Sequence, residues 1–146
     1  MTDKPWWQTY LEGGHGGRED WPPSFATSLG IEPGGWDDAD GVTLRWQPPD
    51  FTRTPGGWVQ GGFLGVALDM AMTIAMFAEL GEGRLPMTLE MKTSFIAGPF
   101  AQRFVVRGRT VRVGRTVGHT EGTIHDDDGK LIATSTATHI VREGSV

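Results

Sequence analysis

The sequence predicts an α+β fold in which an antiparallel β-sheet is wrapped around one central, buried α-helix. Three observations carry this. From Gly62 to Ala78 the chain is apolar or small on every side except at Asp69 and Thr73, the pattern of a helix buried all round rather than of an amphipathic surface helix. Beyond Gly81 and Gly83 the hydrophobic period falls from helical to two, so the second half of the chain reads as strands. Gly98-Pro99, Gly114 and Asp128-Gly129 then cut that half into consecutive antiparallel segments, the last of them a strong hairpin signal.

Taken in order, residues 1–22 mix glycine and charge with Trp6, Trp7, Tyr10 and Trp21 and show no sustained period. They are expected to form an irregular arm whose aromatic side chains dock on the body, since disordered segments are poor in aromatics. Residues 23–146 form the single domain. Pro23 to Gly30 is a short helix, with proline near its start and glycine at its end. Gly34-Gly35 and Asp37 to Gly41 read as turn, and Val42, Leu44 and Trp46 alternate as the first strand. Pro48, Pro49 and Pro55-Gly56-Gly57 make the loop that delivers the chain to the central helix. After the helix, Met87, Leu89, Met91 and Phe95 are expected on one face of a strand, with Thr88, Glu90, Lys92 and Ser94 on the other. Strands over 102–113, 115–125 and 130–141 complete a set of five. No internal repeat or second domain is visible.

Composition narrows the function. A chain of 146 residues can bury a real core. A net charge of −5 argues against nucleic acid as a partner, because phosphate neutralisation needs a basic surface. Absence of cysteine removes disulfides and zinc–thiolate sites and fits a reducing compartment. The N-terminus lacks the basic start and apolar run of a signal peptide, and the one long apolar run is short of the roughly 20 residues of a membrane span and contains Asp69. The expectation is a soluble cytoplasmic protein with no membrane partner.

The chemistry concentrates on the central helix. Gly61-Gly62 at its start lets another molecule approach the backbone and leaves first-turn amides free to donate. Asp69 stands where burial is costly unless a partner or a task explains it. The two features lie eight residues apart, roughly 12 Å along a helix, too far to touch one reacting carbonyl. If an amide polarises a substrate while the carboxylate attacks it or activates water, the two must come from two copies of the helix running antiparallel across a dimer. Thr73, one turn on from Asp69, is placed to hydrogen-bond the carboxylate or a water beside it. The plainer reading, an acid satisfied by a neighbouring strand, stays open on the residues alone.

Together these segments resemble the hotdog-fold thioesterases, most closely the phenylacetate-pathway (PaaI-type) acyl-CoA thioesterases. The resemblance spans Pro23 to Val141. It rests on the run from Ala26 to Ile31, Gln60-Gly61-Gly62 with Asp69 at its spacing, the strand from Leu89 to Phe95, Gly114-Arg115-Thr116, and the run from Asp128 to Ala133. It implies two chains paired edge to edge with their helices inside, as a homodimer or a dimer of dimers, and a site at the seam. There the Gly61 amide polarises a thioester carbonyl at the positive end of the helix, and Asp69 of the other chain acts as nucleophile or general base. Thr73 and Thr88 resemble the hydroxyl residues that hold the water, and Gly62 belongs to the substrate-binding turn. No cofactor is implied beyond the coenzyme A carried by the acyl-CoA substrate, and no metal. The chain departs from the family pattern twice: Gln60 stands where histidine is usual, and can imitate one of its hydrogen bonds but not carry its proton, and Thr54 stands where an asparagine or glutamine is common.

Other residues are weighed against plainer roles. Arg103, Arg107, Arg109, Arg112 and Arg115 fall in a stretch without acids. Arg115, in a turn, is the candidate for the phosphates of coenzyme A, while Arg107 and Arg109 read as a solvated sheet face. His119 and His125 are about 20 Å apart in an extended strand and cannot share a metal, and His15 and His139 are isolated. All four histidines are assigned to structure or surface. Met70, Met72, Met76, Met87 and Met91 read as core, with those on the site side able to line an acyl pocket. Asp126-Asp127-Asp128 reads as a solvated hairpin tip. The leading function is hydrolysis of an aryl- or medium-chain acyl-CoA thioester. The alternatives are a non-catalytic acyl-CoA or acyl-carrier binding protein, and a dehydratase or hydratase, ranked last because no histidine lies near the helix start.

Overall fold

The computed structural model describes residues 6–12 and 24–144. Helix α1 (Trp6–Leu11) and helix α2 (Ser24–Ser28) precede strands β1 (Ile31–Asp37) and β2 (Gly41–Trp46). A short 3-10 turn (Asp50–Thr52) leads to helix α3 (Gly61–Leu80), and β3 (Arg84–Phe95), β4 (Phe104–Val113), β5 (Val117–Asp126) and β6 (Leu131–Glu143) follow. Among the described residues the six strands form one antiparallel sheet in the order β1-β2-β4-β5-β6-β3, with α3 lying against one face. The expected architecture of a sheet curved on a central helix is present.

A lack of side chains sets how deeply α3 sits. Gly108 on β4 pairs with Gly122 on β5, and both lie beneath the middle of the helix. A β-carbon added at Gly108 would fall 2.4 Å from the backbone carbonyl of Ala71, and one at Gly122 would fall 3.1 Å from Leu68 and Met72 side-chain atoms. The sheet thus touches the helix backbone directly, and Leu64, Leu68 and Met72 bury their side chains in one cluster with Val42, Leu44, Trp46, Phe104, Val106 and Ile124. Trp46 closes the far end, its ring against Phe104 and its indole N–H donating to the carbonyl of Leu29 at 2.9 Å.

Helix α3 is longer and less covered than the sequence suggests. It spans 20 residues, enough by length and composition to cross a membrane, but it carries Asp69 and 56% of its most apolar window is buried inside the chain. Gly81, at a φ of 72°, ends it. Burial is not all round: Gly62, Val66, Asp69 and Thr73 form a stripe on one side that stays exposed or half-exposed. That stripe lies on the side of β3, an edge strand of the sheet.

Three expectations are corrected. The arm contains helix α1, and its aromatics do dock: Tyr10 and Leu11 are buried, and the rings of Trp7 and Trp36 stand 5.4 Å apart. Burial, together with the charge of Glu32, pushes the Tyr10 phenol up to about 12. Trp21 and His15 lie outside the described residues. Second, Gly34-Gly35 is not a turn but part of β1, an edge strand that takes Pro33 and a bulge between Pro33 and Gly35 without losing its pairing with β2. Third, β3 changes faces. A bulge at Leu89 sets Thr88 opposite His139 and Glu90 opposite Thr138, so Thr88, Met91, Thr93 and Phe95 pair with inward residues of β6. Met87 and Leu89 are 57% and 64% exposed, and are not core.

Because the obstacle at Gly108 is backbone, Gly108→Ala is expected to destabilise the fold by about 3 kcal/mol. Gly122→Ala, whose β-carbon would meet its nearest neighbours, the Arg107 carbonyl and the Leu68 and Met72 side chains, only at 3.1 Å, should cost clearly less. Urea denaturation of the two variants measures the order, and equal costs would contradict direct helix–sheet contact at Gly108.

Candidate functional site

The start of α3 is held by its own sequence. Gln60 is the N-cap, and its side-chain Oε1 accepts the Gly62 amide at 2.7 Å. The Gln60 amide donates to Thr52 at 2.9 Å, and the Phe63 amide to the Gln60 carbonyl at 3.0 Å. Of the first-turn amides, the Gly61 N–H has no acceptor among the described residues. It sits at the positive end of a 20-residue helix, the place where an oxyanion gains most. The Phe95 ring lies over Gly61, 3.0 Å from where a β-carbon would be, so a side chain there would have to push the ring aside.

The second group forms two turns along the helix. Thr88 on β3 donates to Asp69 Oδ1 at 2.6 Å, and Thr73 Oγ1 lies 3.4 Å from Thr88 Oγ1. The bulge at Leu89 makes this possible by turning Thr88 inward while the strand continues past it. One carboxylate oxygen is therefore occupied and the other has no hydrogen-bond partner among the described residues, on a half-exposed side chain beside an uncovered strand. Asp69, Thr73 and Thr88 are brought together, and Gln60, Gly61 and Gly62 are brought together. Within one chain the two groups remain a helix segment of roughly 12 Å apart.

Two predicted site residues stand elsewhere. Thr54 belongs to the turn between Arg53 and Val59, where its backbone pairs with Trp58 and Gly57 and its buried hydroxyl has no partner among the described residues. The residue that meets Gln60 is Thr52. Arg115 lies in the β4–β5 turn, exposed, in a cleft with Arg84 and Arg142. Arg109 is paired with Glu121 on the sheet face away from α3, beside a cleft of about 630 Å³ that contains none of the candidate residues. Among the described residues, Asp126, Asp127 and Asp128 are the acids close enough to share a cation, but Asp126 Oδ1 already accepts the amides of Asp128 and Lys130.

His139, which the sequence reads as isolated and structural, lies close to the site. It is fully buried, its Nε2 lies 2.8 Å from Thr120 Oγ1, and its Nδ1 has no partner among the described residues. It pairs across the sheet with Thr88, directly behind the hydrogen bond to Asp69. Burial lowers its pKa below the ordinary 6.5, the charge of Asp69 acts in the opposite direction, and His119 adds to the lowering. No local pattern announces it, since its neighbours come from other strands.

Comparison with known proteins adds the family. Residues 56–133 match the thioesterase superfamily. A phenylacetic acid degradation-related protein from Ralstonia eutropha JMP134 is 32% identical, over 93% of this chain and 99% of that one, with a TM-score of 0.81. The fold is shared with the PaaI protein of the phenylacetic acid degradation operon of E. coli (17% identity, 85% and 88% covered, TM-score 0.76). It is shared too with a Bacillus halodurans protein crystallised with CoA (22% identity, 68% and 70% covered, TM-score 0.65). No curated protein matches by sequence.

The buried histidine gives a pH dependence of stability. Its folded pKa lies below the unfolded 6.5, so the unfolded chain binds more protons in the interval between them. Stability is held above 6.5 and lost as pH falls through the folded value. Urea midpoints at pH values on either side of 6.5 should drop on the acid side in the wild type and drop less in His139→Gln. Parallel curves would assign the acid loss to other groups.

Proposed function

Since the chain belongs to the thioesterase superfamily, we propose that it is a cytoplasmic thioester hydrolase acting on an aryl- or medium-chain acyl-CoA at a site completed by a second copy of itself. The observation that carries this reading is the Thr88–Asp69 hydrogen bond, which fixes a carboxylate on the one helix stripe that a single chain leaves open. The CoA-bound relative supports coenzyme A as the carrier of the acyl group.

In the proposed reaction the thioester carbonyl oxygen lies at the Gly61 amide of one copy, and Asp69 of the other lies beside the carbonyl carbon. Thr88 holds Oδ1, which leaves Oδ2 to act. As general base it takes a proton from water while the water oxygen bonds to the carbonyl carbon. The tetrahedral oxyanion, held by the Gly61 amide and the helix end, collapses with cleavage of the C–S bond. The thiolate of coenzyme A leaves and takes up a proton, and the carboxylic acid is released. As nucleophile, Oδ2 would instead bond to the carbonyl carbon, expel the thiolate, and form an anhydride that water then cleaves. Thr73 supports Thr88 and the water. The apolar side chains exposed around the helix start, Phe51, Phe95 and Phe100, suit the acyl group. Gln60 favours a second reading, a protein that binds acyl-CoA without hydrolysing it, because its side chain is spent on capping the helix.

Asp69→Asn is expected to lower kcat by about a thousandfold with little change in KM, read as free-thiol release from a panel of aryl- and aliphatic acyl-CoA substrates. Wild-type protein that binds acyl-CoA but releases no thiol from any member favours the binding protein. Single-turnover reaction in heavy-oxygen water tests the nucleophilic route: label entering Asp69 marks an anhydride opened at the aspartyl carbon. Sedimentation at micromolar concentration should give at least a dimer, and a monomer with full activity would exclude a shared site.

A further inference from the structure

One titratable group behind the site takes no part in the proposed reaction. His139 on β6 is fully buried, and its ring is fixed from one side, with Nε2 2.8 Å from Thr120 Oγ1 on β5. Its Nδ1 is buried too and has no hydrogen-bond partner among the described residues. Burying an N–H without an acceptor is costly, so the network assigns the proton of the neutral ring to Nε2, which donates to Thr120, and leaves Nδ1 a bare lone pair. From the other side β3 brings Thr88, directly opposite His139 in the sheet. The single proton of the Thr88 hydroxyl is already given to Asp69 at 2.6 Å and cannot serve Nδ1, but the Thr88 oxygen keeps a lone pair with which to accept. One hydroxyl thus stands between an enclosed imidazole and the candidate carboxylate.

We propose that His139 is a positioning residue for Asp69: a proton gained at Nδ1 completes a hydrogen-bonded line from the imidazolium through Thr88 to Asp69 and ties up the carboxylate, which the neutral ring leaves free to act. The role of Asp69 rests on the thioesterase reading; His139 adds control over when that carboxylate is available. Protonation turns a lone pair into a charged donor in a place from which water is excluded, where charge-assisted hydrogen bonds are strong. Asp69 of α3 is the acid whose charge favours the imidazolium, and His119, exposed on the other face of β5, opposes it. The groups that β5 and β3 set beside the ring, Thr120, Gly118 and Thr88, do not titrate in this range. Glu90, beyond the bulge in β3, is exposed and accepts from Thr138. Burial holds the imidazole below its ordinary range, so the proton arrives only in acid. Linkage is reciprocal: the carboxylate that favours the imidazolium is held by it in turn, and turnover acquires an acid limb set by the histidine.

The test uses the full chain. The kcat for acyl-CoA hydrolysis is followed from about pH 5 to about pH 8 in the wild type and in His139→Gln, each relative to its own rate at the upper limit. Circular dichroism at each pH keeps unfolding from being counted as lost turnover. The acid limb is expected to move down by about one unit in the variant, which then keeps about tenfold more of its rate at the low end. Superimposable limbs would overturn the proposal. A second measurement needs neither turnover nor a change at His139: nuclear magnetic resonance of carbon-labelled imidazole in the wild type and in Asp69→Asn. Neutralising the carboxylate should lower the His139 midpoint by about one unit. An unchanged midpoint, in a wild type that still releases thiol, would overturn the link and leave the thioesterase reading standing. A lowered midpoint in a protein that hydrolyses no thioester would remove the thioesterase reading and leave the link between His139 and Asp69.

Discussion

The close approach of α3 to the sheet at Gly108 and Gly122 is the constraint on which the rest of this molecule depends. With no side chain at either position, the helix backbone rests on the sheet itself, and every side chain around the contact takes its position from that distance. The same approach brings Asp69 within hydrogen-bond reach of a threonine on the edge strand. A helix lifted by even a methyl group would pull the carboxylate away from Thr88 and unpack Leu68 and Met72 together. Core packing and candidate chemistry are here one geometric fact.

Burying a helix against one sheet leaves its other side to be dealt with. The stripe from Gly62 to Thr73 is small or apolar apart from its carboxylate and hydroxyl, and it runs along a strand whose outer edge is unpaired. Strand β3 carries the proline and charges usual on an exposed edge, Pro86, Glu90 and Lys92, but between them it also presents Met87 and Leu89 to solvent. Shape and chemistry on this side are both left open by one chain.

Much of this was legible in the residues. The helix announced itself by composition, and β4, β5 and β6 by alternation between glycine-marked turns. Asp69 could be singled out because it is the one acid in the apolar run from Gly62 to Ala78, and its distance from Gly61 follows from helical rise alone. Strand β1 was not legible because Pro33 and Gly34-Gly35 carry turn chemistry locally, and only pairing with β2 overrides it. The faces of β3 were misassigned because a bulge is a property of two strands in register and leaves no mark in one of them. His139 was passed over for a related reason: a buried histidine is defined by Thr88 and Thr120, which belong to other strands.

A strand keeps count in twos, and the extra residue at Leu89 changes the parity of β3 partway along. Positions before and after it belong to opposite phases of in and out. Removing Leu89 would restore an unbroken ladder without turning the far half, because Thr88, Glu90 and Met91 already stand in, out and in against His139, Thr138 and Ala137. The extra residue is a reserve of length: the strand absorbs one deletion there, and only a second would turn the far half over, sending Met91 to solvent and the charge of Lys92 toward the core.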